Sequence, residues 1–147
     1  MKVLLQRVNR VSVSVDDKII SEIGPGLLLL TGVAVGDDHE KVSSMAAKIS
    51  NLRIFPDDKG RFHHSLLDVN GSALVIPQFT LFADLSKGGR RPEFFGAARP
   101  EQAEPLCVRF CEELQKVGIK SVGYGVFQAH MKVNLENDGP VTMLIEI

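Results

Sequence analysis

From Leu27 to Val35 the chain is apolar apart from Thr31 and Gly32, with no alternation of polar and apolar residues. A strand built from such a run has no face to offer water, so both of its sides must be covered. The segment therefore predicts a central strand, with other elements of the same domain packed above and below it.

The flanking sequence supplies those elements. Val11, Val13 and Val15 alternate with Ser12 and Ser14, the pattern breaks at Asp16-Asp17-Lys18, and Ile19 to Ile23 follows, which reads as a β-hairpin. Gly24-Pro25-Gly26 is the next turn. Asp37 and Glu40 have the spacing of a capping box, and Val42, Met45, Ala46 and Ile49 recur at helical spacing, predicting a helix from about Asp38 to Ser50. Leu52 to Phe55 reads as a short strand stopped at Pro56-Asp57-Asp58-Lys59-Gly60, residues 61–72 as irregular, and Ala73 to Ile76 as a strand. A second helix is predicted from Pro100, with Ala103, Leu106, Phe110, Leu114 and Val117 facing inward and Gly118 as its stop. Three further strands are expected at 121–127, 130–136 and 141–147. Strands outnumber helices and connections are short, so the predicted fold is α+β: a mainly antiparallel, barrel-like β-sheet carrying two helices, in a single domain over 1–147.

Composition narrows the function. At 147 residues and 44% hydrophobic the chain can bury one core, which excludes intrinsic disorder. Its 17 Lys and Arg against 18 Asp and Glu exclude a general nucleic-acid coat, so any RNA contact must be local. Gln6 and Arg7 interrupt the apolar start, and no stretch reads as a signal peptide or membrane span, so a cytoplasmic location is expected. Cys107 and Cys111 lie four apart on the predicted helix, a spacing for packing rather than for redox or zinc chemistry. His39, His63, His64 and His130 lack the spacing of a metal site and read as surface or loop residues. No metal and no cofactor are expected. Phosphate-loop, nucleophile-elbow and zinc-helix signatures are absent.

Two segments invite chemistry. Pro77 cannot donate to a sheet ladder, so the strand ends or kinks there. The following amides, with the Thr80 hydroxyl beside them, could form an oxyanion hole; a plain strand end satisfied by Gln78 and Thr80 fits as well. Asn137-Asp138-Gly139-Pro140 suits a hairpin turn between two strands, or a rigid Gly-Pro pair presenting its carbonyls to a ligand.

Taken in order, Leu4-Leu5-Gln6-Arg7-Val8, Glu22 to Leu28, Asn51 to Phe55, Ser65 to Val69, Gln78-Phe79-Thr80-Leu81, Arg91-Pro92-Glu93-Phe94 and Asn137-Asp138-Gly139-Pro140-Val141-Thr142 resemble the D-aminoacyl-tRNA deacylases over the whole chain. The resemblance implies a cytoplasmic homodimer that hydrolyses the ester between a D-amino acid, or glycine, and the terminal adenosine at the acceptor end of tRNA. It implies that Gly139 and Pro140 form a cis pair reaching into the partner's pocket, where their carbonyls act as a chirality gate. The facing pocket would be built from Gln78, Phe79 and Thr80, with Met131 near the amino-acid end. Lys87, Arg90 and Arg91, in the glycine-rich basic stretch from Ser86 to Pro92, are candidates for tRNA backbone contacts or a solvated loop.

An aminoacyl ester is already activated and its ribose 2′-hydroxyl can assist, so positioning and oxyanion stabilisation suffice. Thr80 has no base nearby in sequence, which gives it a polarising or positioning role rather than a covalent one. The family usually has Ser where this chain has Pro77. A related animal deacylase that admits certain L-aminoacyl esters carries Pro there, so relaxed chirality is an alternative. A non-catalytic RNA-binding barrel is another, although one Tyr, eight Phe and no Trp leave few stacking platforms.

Overall fold

The structure, a computed structural model, describes residues 1–86 and 88–147. Its organising element is β1, Lys2–Val15, whose alternating inward residues include Val3, Leu5, Val11 and Val13. The hairpin partner β2, Lys18–Ile23, and the apolar strand β3, Gly26–Gly32, share one edge of β1, while β8, Lys132–Glu146, runs along the other. All three pairings are antiparallel.

Beyond β3 the sheet turns parallel: β3 pairs with β6, Ser72–Pro77, which pairs with β7, Val122–Tyr124. Parallel neighbours require long crossovers. These contain α1, His39–Asn51, between β3 and β6, and α2, Pro100–Val117, between β6 and β7. A small hairpin of β4, Phe55–Pro56, and β5, Phe62–His64, lies on the first crossover. The sheet is thus mixed with its antiparallel pairings in the majority, and it curls toward closure: a Cβ on Gly123 of β7 would come within 2.3 Å of Ser21 Oγ on β2. The α+β architecture with two helices is as predicted.

As far as Gly32 the expected strand is covered on both faces, but it stops there, short of the end of the apolar run, and Val35 is 66% exposed. Leu27 and Leu29 join Leu5, Val75, Met45, Ile49, Phe110 and Leu114 under the helices, while Leu28 joins Val11, Val13, Leu74 and Ile76 inside the curl. Cys107 and Cys111 belong to the helix-side packing, and burial pushes both thiols up to about 12. No described helix is long and apolar enough to cross a membrane.

Four local expectations are corrected. The cap of α1 is Asp38, which accepts from Lys41 N, because Asp37 is drawn inward. There Asp37 accepts from the Met1 α-ammonium at 2.9 Å and from the Ala34 N–H at 2.7 Å. The strand expected at 52–55 begins only at Phe55, since Leu52 N bonds back to Ile49 O and extends the helix end; part of the irregular stretch, Phe62–His64, is its partner. The strand expected over 121–127 ends at Tyr124, because the chain turns through Gln128, whose φ is +61°.

The fourth correction concerns Asn137-Asp138-Gly139-Pro140, which is no hairpin turn: its two flanks continue along the same edge of β1. Between the pairs Val8↔Asn137 and Gln6↔Thr142 the ladder skips, so Arg7 faces the extra length of β8 as a bulge. Asn137 holds the bulge shut, its Nδ2 donating to Val141 O and its Oδ1 accepting from Val141 N at 2.7 Å.

Candidate active site

Strand β6 reaches Thr31 of β3 at Pro77 and stops, since proline has no N–H to continue the ladder. Gln78 N closes the pairing by donating to Thr31 O at 2.7 Å, and the chain folds into a 3-10 turn, Phe79–Phe82. The first amides of such a turn have no partner within it, so those of Phe79 and Thr80 are available as donors. Gln78 Nε2 donates to Thr80 Oγ1, which leaves the hydroxyl proton free to point elsewhere.

This strand end opens into a cleft of about 620 Å³. Ile76, Pro77, Gln78 and Phe79 line one wall, Arg99, Pro100, Ala103 and Cys107 line the α2 wall, and Phe127 to Met131 close the third. Phe79 is 58% exposed and meets Phe94 edge to face, ring centroids 5.0 Å apart. The Met131 sulfur accepts from Val126 N at 3.3 Å.

The structure therefore brings Pro77, Gln78, Phe79 and Met131 into one cleft, with Thr80 exposed one residue beyond its lining. Arg90 and Arg91 lie exposed in a loop pinched by the Asp84–Glu93 bridge, just before Phe94. Lys87 lies outside the described residues. Gly139 and Pro140 are exposed and do not line the cleft of their own chain. Their peptide bond is cis. Among the described residues no three of His, Cys, Asp and Glu are grouped as metal ligands.

Sequence reasoning missed Phe94, Arg99 and Phe127, which only the fold brings to the cleft. His130, read as a surface residue, is exposed on the cleft wall. Phe127 ends one expected strand and His130 and Met131 begin the next, and their crowding at that junction is the available signal. A smaller hollow of about 320 Å³ on β1, β2 and β8 contains none of the predicted site residues.

A lined cleft with unpaired amides at a strand end has the layout of an enzyme site, and the relatives give its class: deacylases, which are hydrolases of ester bonds. The chain belongs to the D-Tyr-tRNA(Tyr) deacylase family, whose model matches residues 4–146. It is 54% identical to the D-aminoacyl-tRNA deacylase of Roseiflexus castenholzii, over 99% of this chain and 92% of that one. It is 48% identical to that of Deinococcus radiodurans over the full length of both. Among solved structures it resembles a c-Myc DNA unwinding element binding protein, with TM-score 0.92, 38% identity and coverage of 100% of this chain and 99% of that one. A probable eukaryotic D-amino acid tRNA deacylase shares the fold at TM-score 0.83 and 17% identity, covering 99% of this chain and 98% of the other.

Proposed function

We propose that this protein hydrolyses the ester joining a D-amino acid, or glycine, to the terminal adenosine of tRNA, and that it works in the cytoplasm as a homodimer without a metal. The observation that carries this reading is the strand end at Pro77, where the Phe79 and Thr80 amides open beside a cleft in a chain of this family. The aminoacyl carbonyl oxygen would lie against those amides. Water adds to the carbonyl carbon, and negative charge collects on the oxygen where the N–H groups meet it. Collapse expels the ribose 3′-oxygen, which takes the proton that water gives up, with the neighbouring 2′-hydroxyl assisting. Gln78 orients the Thr80 hydroxyl, so Thr80 positions and polarises rather than attacks.

The dimer is supported by the exposed Gly139 and Pro140, which stand outside their own cleft and are available to enter another. Leu144, 56% exposed on β8 opposite Leu4, adds apolar surface for a partner. In a partner's cleft the Gly139 and Pro140 carbonyls would occupy the space of an L side chain and reject it by steric conflict. Arg90 and Arg91 would meet the tRNA backbone.

The test is turnover on D-tyrosyl-tRNA with enzyme far below substrate. Many equivalents of ester cleaved, by a species that sediments as a dimer, are expected. Stoichiometric binding with the ester intact would identify an RNA-binding barrel instead, and a fully active monomer would remove the gate from the partner's cleft.

A further inference from the structure

Apart from one buried thiol, the groups lining the cleft that carry or can acquire charge are Arg99 and His130. They stand on different walls, Arg99 at the start of α2 and His130 on the segment leading into β8. Neither lies in an ion pair among the described residues, whereas Arg7, Arg10, Arg61 and Arg109 all do. No carboxylate lines the cleft: Glu101, in the first turn of α2, and Glu104, whose charge reaches the Cys107 thiol, are both outside its lining. A cation left unpaired at the edge of a mostly apolar hollow attracts an anion more strongly than one in open water, because the low-dielectric wall screens it less.

The segment bearing His130 is also held in an unusual shape. Gln128 sits at φ +61°, a left-handed conformation that a non-glycine residue enters at a cost, and Val126 N is tied to the Met131 sulfur. That turn sets Gln128, Ala129 and His130 on the cleft wall.

We infer that Arg99 and His130 form a phosphate subsite, which takes the phosphate on the 5′ side of the nucleoside occupying the cleft. Arg offers a planar fork of N–H donors suited to two phosphate oxygens, and His offers at least one N–H in either protonation state. The inference deepens the deacylase reading and rests on it for the substrate: an adenosine whose 3′-oxygen carries the amino acid holds its 5′-phosphate at the opposite end of the sugar. The subsite would anchor the nucleotide from the side away from the Phe79 and Thr80 amides. It differs from the Arg90–Arg91 loop in reading one phosphate inside the cleft rather than the backbone outside it.

Titration calorimetry with adenosine 5′-monophosphate and with adenosine, on the intact protein, tests this without needing turnover. The wild type should bind the monophosphate about tenfold more tightly, the size of one charge-assisted interaction. Arg99→Ala should remove most of that preference, Arg99→Lys should keep part of it, and His130→Gln should lower it by less than Arg99→Ala. Equal binding of the two ligands by the wild type, undetectable binding of both up to millimolar concentration, or an unchanged preference in Arg99→Ala would overturn the subsite. Hydrolysis of D-tyrosyl-tRNA, measured on the same samples, separates the two claims. A phosphate preference without hydrolysis would sink the deacylase reading alone, and hydrolysis without the preference would sink the subsite alone.

Discussion

Arg7 holds Asp138 at two points, its Nε donating to the Asp138 carbonyl oxygen at 3.1 Å and standing 3.0 Å from the carboxylate. The guanidinium also donates from Nη1 to Ile54 O, and it lies within 6 Å of the ring centroids of Phe55 and Phe62, at 5.9 and 5.8 Å. The residue next to Asp138 is Gly139. One buried cation thus ties the β4–β5 hairpin to the bulge that presents the Gly-Pro pair.

Replacing Arg7 should therefore act on stability and on the bulge together. Arg7→Ala leaves the Ile54 and Asp138 carbonyls without their donor and is expected to cost about 1.5–3 kcal/mol in urea unfolding. Arg7→Lys, with a charge but no fork, should fall between. A variant as stable as the wild type would show that the bulge is held by Asn137 alone.

Much of this frame is legible in the sequence because its causes are local. Alternating valines give the β1–β2 hairpin, Pro100 and Gly118 bracket α2, and the apolar run from Leu27 marks the covered strand. What escapes depends on distant partners. Asp37 reads as a cap until the Met1 ammonium, far away in sequence, is seen beside it. The Asn137–Pro140 stretch reads as a turn because nothing in it reveals that β1 is long enough to pair with both flanks. Arg99, Phe94 and Phe127 come from segments that only the crossovers bring together. The strand end at Pro77 was visible because proline breaks a ladder by its own chemistry.

The Asp37 cluster predicts an acid limb. Burial pushes this carboxyl up, but the Met1 ammonium, the Ala34 N–H and Lys41 together outweigh it and hold it below the ordinary carboxylate range. A depressed folded pKa gives stability that is present above the unfolded value and lost as pH falls through the folded one. Stability should hold from neutral pH to about 5 and fall below about 4, near the unperturbed carboxylate value. Asp37→Asn should cost about 3–5 kcal/mol at neutral pH, since it leaves a buried ammonium without its counter-charge. Its acid limb should also be shallower. Thermal melts across pH decide this, and an Asp37→Asn limb as steep as the wild type's would place the titrating group elsewhere.

Thr80→Ala should leave measurable deacylation. If the backbone amides carry the oxyanion, removing one hydroxyl costs no more than the ~10²–10³ of a single donor, whereas deleting a nucleophile costs on the order of 10⁶. Single-turnover rates on D-tyrosyl-tRNA separate these outcomes. An acyl-enzyme trapped on Thr80 would contradict the positioning role.

In the proposed function, stereochemistry is read by the Gly139–Pro140 backbone. Gly139 has φ +139°, and a Cβ there would stand 2.8 Å from Val141 Cγ2 and 3.4 Å from Arg7 Nη2, so Gly139→Ala must displace the motif. The measurement is the ratio of deacylation rates on D- and L-tyrosyl-tRNA, for the wild type and for Gly139→Ala verified as folded. A large ratio is expected in the wild type and a marked fall in the variant. A wild-type ratio near one, or a ratio unchanged in Gly139→Ala, would contradict it.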